Sequence, residues 1–239
     1  MADGRFRRSI VNRGTTVLRA ERARNLSLKP CELGFDLERC PSESFQGYLA
    51  EADALSQLII GRDSLPWGIG FHASDLLESF QQISWIQKTY LRGNTIAIGD
   101  TKGLDWFCEW GAGLGGVSAC ASELGLNAFG FEVDAKLVQQ ARKLFEKHSM
   151  DVSILEGSFL PDDAQVRREV QSFRSLETSE LSAWEQAPVV AEQVSLHYAY
   201  PWPGEESWIY QVFDQVARPG ALLFCFHGAG EYSLWQRVP

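Results

Sequence analysis

Two carboxylates bracket a cluster of glycines in the stretch LDWFCEWGAGLGGVSACASELGLNAFGFEVD. Glu109 ends one apolar run, Gly111, Gly113, Gly115 and Gly116 follow it, and Glu132 ends the next apolar run. Glycines let a backbone approach a ligand closely and adopt positive φ. A helix starting behind them presents unpaired N–H groups. Glu132 stands where a carboxylate can accept hydrogen bonds from a ribose diol. This order of residue types predicts a site for a nucleoside-containing cofactor. A second set follows in Tyr198-Ala-Tyr200-Pro201-Trp202-Pro203-Gly204-Glu205-Glu206. Its prolines restrict the chain, and its rings can exclude water and face a cation or a methyl group. Glu205 or Tyr200 could take a proton from an amine acceptor, whereas an alcohol or phenol would call for His197 or His227. Strand packing accounts for either histidine equally well, because strand residues alternate faces. His72 is a weaker candidate on the lid side.

These residues need elements to hold them, and the apolar periodicity supplies a regular series. It predicts helices over Ser44–Ile60 and from Ser74 or Asp75, as cap, to about Arg92. A turn-rich connector at 61–70 joins them, and a short strand or connection covers Asn94–Gly99. Strands then fall at Leu104–Trp110, Asn127–Glu132, Val152–Glu156, Val194–Tyr200 and Ala221–His227. Helices alternate with them at Gly115–Gly125, Ala135–His148 and Ser207–Val216. Residues 161–187 are charged with helical stretches, and Tyr232–Val238 reads as one short closing strand. Nearly continuous apolar strands joined by helices predict a mostly parallel sheet covered on both faces. The helical segment over 41–94 is expected to cover the cofactor and substrate face, or to pack on the sheet. Residues 1–40 are expected to be a basic, poorly structured arm, and residues 95–239 the cofactor-binding domain.

Composition limits the alternatives. The chain has 239 residues with 45% apolar content, enough for a full core. Residues 1–40 hold nine Arg/Lys and five Asp/Glu, which leaves a net charge of −13 on the remainder. That acidic body argues against a nucleic-acid groove. No apolar run is long enough for a membrane span, and the N-terminus has no signal-like apolar segment. Five cysteines without close pairing read as reduced thiols in a cytoplasmic protein, and the scattered histidines announce no metal site. Oligomeric state is not legible. Trp106, Trp110, Trp202 and Trp208 flank the expected ligand site.

Gly111-x-Gly113-x-x-Gly116 also satisfies a dinucleotide fingerprint, so an NAD(P)-dependent oxidoreductase is one reading. Against it, the unit begins after a hundred residues and leaves little chain for a second nucleotide-binding half. A carboxylate just before the turn would also repel a pyrophosphate while accepting a hydrogen bond from a cationic amino-acid group. Glu109 could also simply cap the next helix.

Glu109-x-Gly111-x-Gly113-x-Gly115 followed by Glu132 resembles the first motif and subsequent acidic position of class I S-adenosylmethionine-dependent methyltransferases. The resemblance covers roughly residues 95–239. It implies a Rossmann-like, mostly parallel sheet carrying an N-terminal helical cap or extension, with S-adenosyl-L-methionine as cofactor. It implies that Glu109 orients the methionine amino group, that Gly111, Ala112, Gly113 and Gly115 pass beneath the methionine and ribose, and that Glu132, with Val133 beside it, holds the ribose. Gly157 and Ser158 would lie beside adenine, with either Ser158 or Glu156 in the place of the aspartate common there. The aromatic loop would face the acceptor, making Tyr200, Trp202, Glu205 and His197 the catalytic candidates. The acceptor is not identified by these residues, and an amine or other small molecule is expected. A noncatalytic cofactor-binding protein is a further reading, in which the glycines bind the cofactor and no acceptor cavity adjoins the loop.

Overall fold

The computed structural model describes residues 26–60, 73–91, 105–162, 182–202 and 204–239. The expected connector at 61–70, the strand at 94–99, His72, Pro203, most of the charged segment (163–181) and residues 1–25 lie outside these. Seven strands form one sheet: β1 (Leu28–Cys31), β2 (Trp106–Trp110), β3 (Asn127–Glu132), β4 (Val152–Glu156), β5 (Val194–Ala199), β6 (Leu222–Phe226) and β7 (Tyr232–Arg237). Among the described residues, five α-helices accompany them: α1 (Glu43–Ile60), α2 (Leu76–Ile86), α3 (Gly116–Glu123), α4 (Ala135–His148) and α5 (Glu206–Val216).

The order across the sheet is β1-β7-β6-β5-β2-β3-β4. β2 to β6 pair in parallel, and β7 runs antiparallel to β6. From β4 to β6 the order is that of a Rossmann-like sheet, with the chain reversing its direction of winding between β2 and β5. Ligands in such sheets bind outside the carboxyl ends of the strands at that crevice. Glu109 and Trp110 end β2 there, facing Tyr198 and Ala199 of β5 in register.

Strand alternation sorts the side chains between two cores. Phe107, Leu196 and Tyr198 pack on one face under α1, α2, α3 and α4. Cys108, Phe129, Phe131 and Ala199 pack on the other against α5 and the segment around Ala183. The expected cap of the second helix is present, and a further cap starts α4. Asp75 caps α2 by accepting from Glu78 N–H, and Asp134 caps α4 by accepting from Lys136 and Leu137 N–H. Beyond Ile86, α2 widens into a π-helical turn over Gln87–Leu91.

The amino-terminal arm needs a correction. Leu28–Cys31 is not poorly structured but pairs antiparallel with β7, from Leu28 against Arg237 to Cys31 against Leu234. Since β7 is itself reversed, β1 runs parallel to the central strands and covers the edge that a single closing strand would have exposed. Pro30 is tolerated because an edge strand has one side without a ladder. Asp214 of α5 fixes both strands, accepting from Ser27 N–H at 3.2 Å and pairing with Arg237 at 2.9 Å. No helix among the described residues is long and apolar enough to cross a membrane.

Candidate functional site

A cavity of about 1110 Å³ opens at the carboxyl ends of β2, β3, β4 and β5 and runs beneath α1 and the start of α2. Ligand pockets commonly occupy roughly 300–1,000 Å³, so this one has room for a cofactor and a second molecule. Glu109, Gly111, Ala112, Gly113, Glu132, Val133, Gly157, Ser158, Tyr200, Trp202 and Glu205 all line it. These residues, distant in sequence, therefore border one cavity.

The glycine turn is built by several constraints at once. Gly111, Gly113 and Gly115 have φ of +71°, +56° and +70°, which other residues rarely adopt. A Cβ on Gly111 would meet nothing within 4 Å, so its backbone is open to a ligand. Gly115 differs. Its added Cβ would stand 2.5 Å from Phe145, and the residue does not line the cavity. Gly115 thus seats the turn on α4, which corrects its expected place against the cofactor. Gly130 of β3, which the sequence reading passed over, is needed for the same turn. A Cβ there would lie 2.7 Å from that of Ala112 and 3.3 Å from that of Glu109.

Both acids hold the turn. Glu132 accepts from Gly113 N–H at 2.7 Å with one oxygen and from Asp134 N–H at 2.9 Å with the other. Glu109 accepts from the N–H of Ser118 at 2.8 Å and from its hydroxyl at 2.6 Å, which caps α3. Capping and facing the cavity are combined in this one residue. Burial pushes the Glu109 carboxyl up to about 8, against the lowering effect of its Ser118 bonds. Burial raises Glu132 too, against the backbone N–H bonds it accepts. A positive charge placed beside these two acids would favour their ionised forms.

The electrostatic character extends around the cavity. Asp53, Asp75, Glu109, Glu132, Asp134 and Glu205 line it, and no Lys, Arg or His does so among the described residues. Asp53 comes from α1 and Asp75 from the cap of α2. Asp75 was legible only as a helix cap and Asp53 not at all, since a carboxylate on an amphipathic helix gives no signal separating a cavity-facing position from a solvated one. Ser74 ties this helical layer to β5 through a 2.6 Å hydrogen bond with the Tyr198 hydroxyl.

Beyond β4, Gly157 donates to the Glu132 carbonyl, and the Ser158 hydroxyl accepts from Leu160 N–H. Ser158 lines the cavity and Glu156 does not. Trp110, Phe159 and Trp208 stack in series, with centroids 4.9 and 5.9 Å apart. Trp106 lies away from the cavity, edge-on to Phe129.

The aromatic loop closes on itself. Glu205 N–H donates to the Trp202 carbonyl at 2.9 Å, Trp202 N–H donates to Glu205 Oε2 at 3.1 Å, and Gly204 has φ of +96°. Trp202 remains 42% exposed. His197 does not join them. Strand alternation turns it to the opposite face, where it packs between Trp110 and Phe213, fully buried, and burial drives its pKa down to about 3. A neutral imidazole outside the cavity cannot serve an acceptor there. His227 bonds Ser233 instead and also lies outside the cavity.

No protein-family model matches the chain, and no curated protein does. Solved structures similar to it include an RNA methyltransferase from Salinibacter ruber in complex with S-adenosyl-L-homocysteine. It is 14% identical over 56% of this chain and 81% of that one, with a TM-score of 0.40. A Thermus thermophilus hypothetical protein is 14% identical over 73% and 91%, with a TM-score of 0.42. A glycopeptide N-methyltransferase complexed with S-adenosyl-L-methionine is 11% identical over 60% and 53%, at 0.35. Such likenesses concern general architecture alone. The strand order itself is that of a Rossmann-like, mostly parallel sheet with added N-terminal helices.

Proposed function

We propose that the chain is an S-adenosyl-L-methionine-dependent methyltransferase acting on a small-molecule acceptor. The observation that carries this reading is the state of the glycine turn. A dinucleotide pyrophosphate needs the free N–H groups at the start of the helix. Here Gly113 N–H is taken by Glu132 and Ser118 N–H by Glu109, while Gly115 N–H bonds the Ala112 carbonyl. Two protein carboxylates occupy the positions an anion would use. The acidic cavity wall disfavours phosphates further.

S-Adenosyl-L-methionine fits this donor set, since it carries an ammonium, a sulfonium and a ribose diol. Glu109 would hold the amino group, Gly111 and Gly113 would run beneath the chain, Glu132 would take the ribose hydroxyls, and Gly157 and Ser158 would border the base. When bound, the cofactor supplies an electrophilic methyl group for in-line transfer to a nucleophile. The protein's part is alignment and exclusion of water. Trp202 and Tyr200 would wall the acceptor side; Trp208 and Ile209 line the same cavity. α1 and α2 cover the cavity from above.

The test is methyl transfer itself. Incubation with methyl-labelled cofactor and fractionated small-molecule extracts is expected to yield labelled product with the native chain and none with Gly113→Val. Tight cofactor binding with no labelled product in any fraction would leave a noncatalytic cofactor-binding protein.

A further inference from the structure

Glu205 has a buried oxygen with nothing to bond. Its Oε2 accepts from Trp202 N–H, but Oε1 lacks a hydrogen-bond partner although the residue is only 7% exposed. An acceptor left without a donor in such a place costs about 1–3 kcal/mol. The residue lines the cavity, so a ligand there could relieve that cost. The loop holds the carboxylate firmly, because Glu205 and Trp202 exchange hydrogen bonds in both directions. Trp202 and Trp208 line the same cavity. A carboxylate and tryptophan rings bordering one cavity suit an ammonium group, which can gain a charge-assisted hydrogen bond from one and a cation–π contact from the others.

We infer that Glu205 Oε1 is the docking point for the nitrogen of an amine acceptor, whose N–H bonds it while the carbon skeleton lies against Trp202 and Trp208. This rests on the methyltransferase reading and names the substrate class for it. An amine entering as R–NH3+ donates a proton to the Glu205 carboxylate. One N–H bond breaks, one O–H bond forms, and the lone pair stays on nitrogen as a nucleophile. The proton then leaves Glu205 for water. Burial raises the Glu205 carboxyl, against the Trp202 N–H bond, which strengthens it as a proton acceptor. An alcohol could donate to the same oxygen but would bring no charge to the acidic cavity.

The experiment uses benzylamine and benzyl alcohol as matched probes, with binding followed by tryptophan fluorescence. S-Adenosylhomocysteine binding is followed separately by calorimetry. Native protein is expected to bind benzylamine at least about tenfold more tightly than the alcohol, the scale of one charge-assisted hydrogen bond. Glu205→Gln is expected to erase that preference with unchanged S-adenosylhomocysteine affinity. Its amide oxygen can still accept from Trp202 N–H, so the loop and melting temperature should persist. Glu205→Asp, which keeps the charge and shortens the reach, should restore part of the preference. Equal binding of the two probes, or a preference surviving in Glu205→Gln, overturns the inference. Because the probes can be titrated without cofactor, failure of S-adenosylhomocysteine to bind would count against the methyltransferase reading separately.

Discussion

Glu109 spends one oxygen on Ser118 and still faces the cavity, so its substitution separates two effects. Glu109→Gln keeps an oxygen for Ser118 while removing the charge. Loss of a charge-assisted hydrogen bond to the cofactor amino group should weaken S-adenosylhomocysteine binding about tenfold to a hundredfold, from roughly 1.5–3 kcal/mol. Stability should move the other way at neutral pH. The carboxyl ionises near 4.5 in an unfolded chain and near 8 when folded, so the folded state holds the extra proton between those values. Stability from this group is therefore lost as pH rises through that window, by up to about 1.4 kcal/mol per unit. Melting curves from pH 5 to 8 should fall more steeply for the native chain than for Glu109→Gln; parallel curves would show that Glu109 is ionised throughout. Trp202→Ala is expected to depress turnover with little change in cofactor affinity, because under the proposed function its ring, which lines the cavity and stays 42% exposed, serves the acceptor. Equal loss of both would place that ring against the cofactor.

Strand β3 and the glycine turn fit together like hand and glove at Gly130, and here packing was silent in the sequence. Glu109 pairs in register with Gly130, and the missing side chain leaves the space that Ala112 enters. Gly130→Ala should cost about 1–3 kcal/mol by overpacking. It should also weaken cofactor binding by displacing the turn. Adding Ala112→Gly should restore much of both, measured by melting and calorimetry; additive losses would show that the two sites do not touch. Local elements were legible because their signals are local. The continuous apolar run of β3 and the Asp75 cap of α2 each depend on neighbours in sequence. Facing direction was less so. Gly115 lies in the motif but serves Phe145 packing, and His197 lies one residue from Tyr198 but on the other face. Asp53 became part of the site only because α1 folds back over β2 to β5, a contact across half the chain.

At the level of the whole molecule, the sheet is completed by the two ends of the chain. A sequence reading takes segments in order, so a four-residue strand at 28–31 pairing with residues 234–237 leaves no periodic trace. Removing residues 1–31 should expose the β7 edge, lower the melting temperature and produce association that grows with protein concentration. A monomer of unchanged stability would show that β1 contributes little to the sheet. The central claim concerns the other end of the strands, where carboxylates rather than open N–H groups meet the ligand. Calorimetric titration of the full chain with S-adenosylhomocysteine and, separately, with NAD tests it most directly. One-to-one binding of S-adenosylhomocysteine with no heat from NAD is the expected result; binding of NAD with none of S-adenosylhomocysteine would contradict the account.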